Sequence, residues 1–184
     1  MTITFFDILV LFALLGGAAI GFFRGFLRQA ASTLILYISM VVASLFYPSI
    51  SRTLVRLTGQ LPYATDVLGF FLLMGLMMTL LFLARGELMS NINTDRQGIG
   101  HNLAGMVFGF LNAAIVCAVG LIVLRSVVNG DPWPAYRGLQ TFIRKQTSSS
   151  WMVYVFTPFT RLLLALIEPW LFGNRLPPLL RNAL

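Results

Sequence analysis

Four long apolar stretches, each followed by a polar segment, dominate the pattern of the chain. They cover Phe5–Phe23, Ala30–Tyr47, Val67–Ala84 and Leu103–Leu124. A helix rises about 1.5 Å per residue, so about 20 apolar residues are needed to cross the ~30 Å hydrocarbon layer of a bilayer. Each stretch is close to that length. The pattern therefore predicts an all-α fold, a polytopic membrane helical bundle of four transmembrane helices.

A fifth apolar stretch, Trp151–Phe172, contains prolines and charged residues, namely Pro158, Arg161, Glu168 and Pro169. Its aliphatic and aromatic residues favour insertion into the bilayer. A central arginine opposes insertion by about 2.5 to 3.5 kcal/mol, and the glutamate and prolines add to that cost. The stretch is therefore either a fifth span or an amphipathic helix that lies in the headgroup region.

We favour the interfacial helix because its charged residues share one face. Arg161 and Glu168 are seven positions apart, which places them on the same side of a helix. Trp151 and Trp170 then supply aromatic side chains at the level of the lipid headgroups. We expect a C-terminal amphipathic helix in which Trp151, Arg161 and Trp170 are membrane anchors.

Prolines and turn residues indicate where the predicted helices end. Pro48 is expected to end the second helix, because proline lacks the amide hydrogen that a helix interior uses. The segment Ser51–Leu57 then fits a short interfacial helix. The turn-rich run Asn129–Pro134 predicts a domain boundary. Residues 1–128 would form the four-helix transmembrane domain, and residues 129–184 the amphipathic C-terminal tail.

Composition also indicates that lipid is the solvent of this chain. Of its 184 residues, 58% are hydrophobic and 10% are charged, and the mean hydropathy is +0.84. Soluble domains are about half apolar and about a quarter charged, so these residues cannot build a water-soluble surface. A cleaved signal peptide is not expected, because no lysine or arginine precedes the first apolar stretch.

The formal net charge of +7 would suggest nucleic-acid binding in a soluble protein. Here the arginines flank apolar stretches, where they orient the chain and meet lipid headgroups. We therefore expect the lipid bilayer, and no nucleic acid, as a partner. Cys117 is the single cysteine, so the chain forms no intramolecular disulfide.

Glycines spaced by four residues occur in two of the predicted helices. Gly17, Gly21 and Gly25 share a face of the first helix, and Gly105 and Gly109 share a face of the fourth. Faces without side chains let another backbone approach closely, and this packing matters because lipid offers no hydrophobic force between helices. We expect these faces to pack inside one bundle; self-association of the chain is the alternative.

Charged residues lie at both ends of the first predicted span. Asp7 is at one end, and Arg24 and Arg28 are at the other. Ionisable groups inside a bilayer suggest function, but water and headgroups can solvate them at the ends of a span. We interpret all three as interfacial charges. A proton relay through Asp7 would need a second carboxylate or histidine inside a predicted span, and the sequence has none there.

The sequence motifs do not support catalysis, a metal site or a cofactor. Gly100–Gly105 imitates a phosphate-binding loop, but Met106 and Val107 stand where lysine and serine or threonine are required. His101 is the single histidine and is distant in sequence from Cys117, so a zinc cluster is not expected. The G-x-S-x-G motif of serine hydrolases is also absent.

Two segments carry a family resemblance. Phe6–Leu9 opens the first span and Ile20–Gln29 closes it. Together they resemble the colicin V production protein family, in which an aspartate opens the first span and an R-G-F-x-R signature closes it. The matching residues are Asp7, Arg24, Gly25, Phe26 and Arg28. The chain departs from the family in the tail, where Tyr154 stands in place of the serine of a W-x-x-S motif.

The resemblance implies a multi-pass protein of the bacterial inner (plasma) membrane. Its role would be that of an accessory or scaffold, without catalysis, in colicin V toxin production or export and envelope maintenance. Its partners would be further copies of the chain or other membrane and envelope proteins. Related proteins fuse this module to an extracytoplasmic protease, so both termini are expected outside the cytoplasm. The alternative is a transporter or channel component in which Asp7 and the glycine-faced helices line a path.

Overall fold

The computed structural model describes residues 4–58, 62–89, 98–129, 138, 141, 144–145 and 150–171. The helices with described bounds are α1 (Phe5–Arg24), α2 (Phe26–Thr58), α3 (Pro62–Met89), α4 (Ile99–Asn129) and α5 (Trp151–Ile167), and a 3-10 turn (Glu168–Leu171) follows α5. The described part of the chain contains no β-strand, which agrees with the predicted all-helical fold. Residues 130–134 of the predicted domain boundary lie outside the described residues.

Helices α1 to α4, and α5 together with its 3-10 turn, are long and apolar enough to cross a membrane. The corresponding segments are Phe5–Arg24, Phe26–Leu57, Thr65–Gly86, Ile99–Arg125 and Trp151–Leu171. Large apolar side chains remain exposed on the helices; Phe12 is 71% exposed and Phe23 is 85% exposed. Such surfaces are unfavourable in water and favourable in lipid. The chain is therefore a multi-pass membrane protein.

The predicted break at Pro48 is wrong, because α2 continues through this proline to Thr58. Proline costs one helical hydrogen bond but keeps a helical φ, and neighbouring helices stabilise such positions in membrane proteins. Ser51–Leu57 is consequently the last part of α2 and not a separate helix. The 33 residues of α2 extend about 50 Å at about 1.5 Å per residue. This length exceeds the ~30 Å hydrocarbon layer, so α2 is long enough to place Arg52 and Arg56 outside that layer.

Helices α2 and α3 pack side by side in antiparallel directions. Residue pairs in contact along them are Ser51 with Asp66, Tyr47 with Phe70, and Ser32 with Arg85. The residue number rises on α3 as it falls on α2, which defines the direction. Tyr47 and Phe70 are buried, with ring centroids 6.0 Å apart in an edge-to-face arrangement. Gly69 lies against the backbone of α2, where an added Cβ would be 3.6 Å from the Tyr47 carbonyl oxygen.

The chain divides into two compact units. The central unit is Leu14–Ala114, and the terminal unit combines Met1–Ala13 with Ile115–Leu184. The division falls within α1 and within α4, and the boundary expected after residue 128 stays a prediction. Buried apolar residues of the central unit include Ile35, Leu36, Met40, Tyr47, Phe70 and Leu73. Those of the terminal unit include Val10, Ala118, Ile122, Phe156, Leu164 and Ile167.

Helix α5 buries one face along its whole length. The buried residues are Val153, Phe156, Thr160, Leu163, Leu164 and Ile167, and Leu171 of the 3-10 turn is also buried. Arg161 of α5 and Glu168 of the 3-10 turn are exposed. Leu162 and Leu166, on the exposed side as well, are 58% and 49% exposed. The outer surface of α5 therefore has a polar edge and an apolar edge.

Candidate functional site

The Asp7 carboxylate joins the beginnings of two helices in the terminal unit. Directly before α1, the Thr4 backbone N–H donates to Asp7 Oδ2 at 2.8 Å and the Thr4 hydroxyl donates to the same oxygen at 2.7 Å. At the start of α5, the hydroxyl of the N-cap residue Ser150 donates to Asp7 Oδ1 at 2.5 Å and the Met152 N–H donates to the same oxygen at 2.9 Å. We call these four residues the Asp7 clasp.

The position of the clasp follows from the chemistry of helix ends. The first N–H groups of a helix have no partner within the helix, and the helix dipole places partial positive charge there. Asp7, in the first turn of α1, reaches back to Thr4, while Ser150 caps α5 and accepts a hydrogen bond from the Val153 N–H at 3.2 Å. One carboxylate thus serves both helices. Unpaired backbone groups cost several kcal/mol in lipid, so the clasp stabilises both helix starts in a bilayer.

Asp7 is 6% exposed, whereas the sequence interpretation placed it in contact with water and headgroups. With four donors on its two oxygens, the carboxylate is suited to fixing α5 against the start of α1. Sequence reasoning missed Ser150 as its partner. A signal was present, since a serine directly before an apolar stretch that begins at Trp151 is a typical N-cap.

The glycines of α1 and α4 bring the two backbones into direct contact in the central unit. A Cβ added to Gly17 would lie 2.7 Å from the Gly109 carbonyl oxygen, and one added to Gly21 would lie 2.8 Å from the Gly109 Cα. One added to Gly105 would lie 2.7 Å from the Gly25 carbonyl carbon. Real Cβ atoms do not approach other atoms so closely, so each position requires glycine. Gly17 lies against Gly109 and Gly25 lies against Gly105, so residue numbers rise along α1 as they fall along α4, and the two helices are antiparallel.

Gly25 has a second role, because it alone separates α1 from α2. Its φ is +75°, a left-handed conformation that glycine adopts without a steric penalty. Its N–H donates to the Gly21 carbonyl oxygen at 3.0 Å and its own carbonyl accepts from the Gln29 N–H at 3.2 Å. The glycine of the R-G-F-x-R segment is therefore the turn between the first two helices.

The other residues of this segment surround the turn. Arg24 ends α1 and Arg28 lies in the first turn of α2, and both side chains are exposed. Phe26 turns toward α4, where its ring lies 6.0 Å from the His101 ring and 5.1 Å from the Phe108 ring, in edge-to-face arrangements. Within this segment, Phe26 therefore packs against α4, while the side chains of Arg24 and Arg28 stay exposed.

The comparison with protein families agrees with this arrangement. The model of the family described as colicin V production protein matches residues 6–166. The chain belongs to the colicin V production protein family. This confirms the family predicted from the signature residues. Comparison with curated proteins and with solved structures gives no match.

The colicin V production protein match covers three of the four residues of the Asp7 clasp, and Thr4 precedes it. It begins one residue before Asp7 and ends at residue 166, within α5, so it includes Ser150 and Met152. It also includes the R-G-F-x-R segment and the glycines of α1 and α4. Apart from Thr4, the candidate site therefore lies within the matched region.

The predicted membrane anchors of this colicin V production family chain lie on the outer side of α5 and its 3-10 extension. Trp151 and Trp170 are 50% and 52% exposed, and Arg161 between them is also exposed. In the terminal unit, Arg125 of α4 donates from Nη2 to the Thr157 hydroxyl of α5 at 3.0 Å. The predicted anchors therefore lie on the exposed side of a helical segment whose Thr157 is hydrogen-bonded to α4.

Four buried polar atoms of the central unit lack a hydrogen-bond partner among the described residues. They are Gln29 Oε1, Ser39 Oγ, His101 Nε2 and Asn112 Oδ1. Ser39 is fully buried and Gln29 is 4% exposed. In the described ranges, no group of three or more His, Cys, Asp or Glu side chains is placed to hold a metal ion. The unpartnered atoms are candidate sites for bound water, which commonly satisfies such groups.

Proposed function

We propose that this protein is an accessory or scaffold of the bacterial inner membrane, linked to toxin production or export and to envelope maintenance. The observation that carries the proposal is the colicin V production family match over residues 6–166. The site geometry supports a non-catalytic role, because the buried carboxylate of Asp7 is used in four contacts that join helix ends. Its partners are further copies of the chain or other membrane and envelope proteins.

We further propose that α1 to α4 cross the membrane and that α5 lies in its interface. The support is the exposure of Arg161 at the middle of α5. In a spanning helix an arginine usually faces the bundle interior, because contact with lipid at mid-depth is costly. In an interfacial helix, the edge with Arg161 and Glu168 faces the headgroups, while Leu162 and Leu166 enter the acyl region. Four spans place both termini on the same side of the membrane, and the protease fusions of related proteins favour the extracytoplasmic side.

Deletion and complementation in a bacterium that exports colicin V test the proposed role. We expect deletion to reduce the toxin in the medium, measured as the zone of growth inhibition, and the wild-type chain to restore it. Asp7→Ala, compared at equal membrane abundance, should restore less, while Glu168→Gln, which alters an exposed carboxylate, should restore fully. Unchanged toxin export and unchanged envelope resistance after deletion would contradict the proposal.

The partner requires its own experiment. Crosslinking in intact cells, followed by purification, should recover the wild-type chain with itself or with a defined envelope protein. Asp7→Ala should reduce that yield, because α5 is no longer held at the start of α1. Recovery of the chain alone after crosslinking, at full cellular abundance, would contradict a scaffold role.

A transport component is the second candidate, and the four unpartnered buried atoms favour it. Polar groups within a bundle are expected where solutes or ions cross a membrane. Purified chain in proteoliposomes would be tested for ion and water flux. Flux that Asn112→Leu and Ser39→Ala abolish, and that Thr79→Ala on the exposed face of α3 leaves unchanged, would support transport. Absence of flux would contradict it.

A further inference from the structure

Three arginines converge at one end of the central unit. Arg24 ends α1 and Arg28 lies in the first turn of α2, with Gly25 alone between the two helices. Arg85 comes from α3, and its Nη1 donates to the Ser32 hydroxyl of α2 at 2.8 Å. The positive charges of Arg24 and Arg28 act electrostatically on Arg85. We call these three residues the arginine cluster.

Contacts with α2 and α3 hold the Arg85 guanidinium in place. Ser32 accepts the hydrogen bond from Arg85 and donates to the Arg28 carbonyl oxygen at 2.9 Å. The Arg85 guanidinium is thereby fixed to α2 one helical turn after Arg28. It also lies 5.8 Å from the centroid of the Phe82 ring. A guanidinium oriented in advance loses less conformational entropy when it binds a ligand.

The cluster lies at the ends of three segments that are long and apolar enough to cross a membrane, Phe5–Arg24, Phe26–Leu57 and Thr65–Gly86. Arginines at the ends of spans meet the headgroup region. A guanidinium presents planar pairs of N–H donors that match the oxygens of a phosphate group. Like charges repel one another, and an anion between the three side chains would reduce that repulsion. Arg24 and Arg28 are exposed, so an anion can reach them.

Apolar side chains beside the arginines indicate an amphipathic ligand. Phe23 directly precedes Arg24 and is 85% exposed, and Leu27 directly precedes Arg28 and is 37% exposed. On α3, Leu83 is 66% exposed, two positions before Arg85. A free phosphate ion would use the cations alone. A phospholipid would use the cations for its phosphate and the apolar surface for its acyl chains.

We propose that the arginine cluster binds the phosphodiester headgroup of an anionic phospholipid, whose acyl chains lie against Phe23, Leu27 and Leu83. Arg24 and Arg28 contact the phosphate from exposed positions, and Arg85 supplies donors oriented by Ser32. The site lies in the central unit and is independent of the proposed function, so failure of either leaves the other standing.

The test uses the full-length protein in detergent, titrated with phosphatidylglycerol and followed by native mass spectrometry. Phosphatidylcholine, which is zwitterionic, serves as the comparison lipid, and inorganic phosphate serves as the free-anion comparison. The cluster variants are R24Q, R28Q and R85Q. The matched controls are R52Q and R56Q, which remove exposed arginines from the opposite end of the same helix α2. S32A leaves the charge unchanged and removes the contact that orients Arg85.

We expect each cluster variant to weaken retention of phosphatidylglycerol by roughly fivefold, as removal of one cation near an anionic headgroup predicts. S32A should weaken it by a smaller factor, and R52Q and R56Q should change it less than twofold. If R85Q is not recovered folded, R24Q and R28Q, which alter exposed side chains, decide the question. Equal losses in controls and cluster variants, equal retention of phosphatidylcholine, or displacement by equimolar inorganic phosphate would each overturn the proposal.

Discussion

The Ser150 hydroxyl donates a hydrogen bond to the Asp7 carboxylate at 2.5 Å, although 143 positions of sequence separate the two residues. The serine caps α5 and the aspartate lies in the first turn of α1. This contact therefore joins the first helix of the chain to the last helix that the structure describes. Because both helix starts depend on one buried carboxylate, its removal should affect α1 and α5 together.

Asp7→Asn is expected to lower the free energy of unfolding by about 1.5 to 3 kcal/mol, the range for a hydrogen-bonded charged group. The new amide presents N–H donors toward a site that already consists of donors. Unfolding in detergent, followed by circular dichroism, measures the change. Glu168→Gln removes an exposed carboxylate from the same unit and should change the stability by less than about 0.5 kcal/mol. An Asp7→Asn variant as stable as wild type would contradict the clasp.

Gly109→Ala should destabilise the protein, whereas Gly120→Ala on the same helix should not. A Cβ on Gly109 would lie 2.7 Å from the Gly21 Cα, so α1 and α4 must separate, while nothing lies within 4 Å of a Cβ on Gly120. We expect a loss of about 1 to 3 kcal/mol for Gly109→Ala, as for other overpacked sites. Gly120→Ala should be neutral or stabilising by up to about 1 kcal/mol. Equal effects in both variants, measured by unfolding in detergent, would contradict direct backbone contact.

Ser51→Ala should weaken the packing of α2 against α3. Ser51 is buried and hydrogen-bonded to the Asp66 carboxylate, and it lies 3.3 Å from the Thr65 hydroxyl. We expect a loss of about 1 to 3 kcal/mol, since a charged acceptor loses its donor. Thr53→Ala is the matched control, because its exposed hydroxyl donates to the Ser49 carbonyl oxygen of its own helix at 3.1 Å. Similar stability of the two variants would show that the contact between helices contributes nothing measurable.

The orientation of α5 can be read from the accessibility of its two ends. Trp151→Cys and Trp170→Cys, each combined with Cys117→Ala, would be treated with a membrane-impermeant maleimide applied to one side of sealed membranes. An interfacial helix exposes both ends on the same side, so both variants should react from that side. A spanning helix would expose them on opposite sides, and that result would replace four spans by five.

The hydropathy pattern was sufficient to predict an all-helical membrane protein. A helix that crosses lipid needs a long apolar run whatever its neighbours are, so a local pattern carries the information. The break predicted at Pro48 failed because it relied on the local cost of proline. In the structure, hydrogen bonds from Ser51 to Thr65 and Asp66 of α3 stabilise the turn of α2 that follows Pro48. A local sequence pattern does not reveal such contacts between helices.

The candidate site was only partly predictable for the same reason. Asp7 stands out as a charge at the edge of an apolar run, and Ser150 as a serine before another run. Their pairing is a tertiary contact, and no spacing rule links residues so distant in sequence. The glycine spacing likewise predicted faces without side chains. It did not reveal that the faces of α1 and α4 meet each other in antiparallel directions.

A crosslink across the Asp7 clasp in native membranes tests whether α1 and α5 are joined there. The variant combines Thr4→Cys and Ser150→Cys with Cys117→Ala. Its two new thiols replace the hydroxyls that donate to the Asp7 carboxylate in the native protein. The backbone N–H groups of Thr4 and Met152 still donate to that carboxylate. A short thiol-specific bifunctional reagent should link this pair efficiently. Thr4→Cys with Tyr154→Cys, whose side chain is 69% exposed, should link poorly. Poor linkage of the first pair, or equal linkage of both pairs, would contradict the joining of α1 and α5 by Asp7.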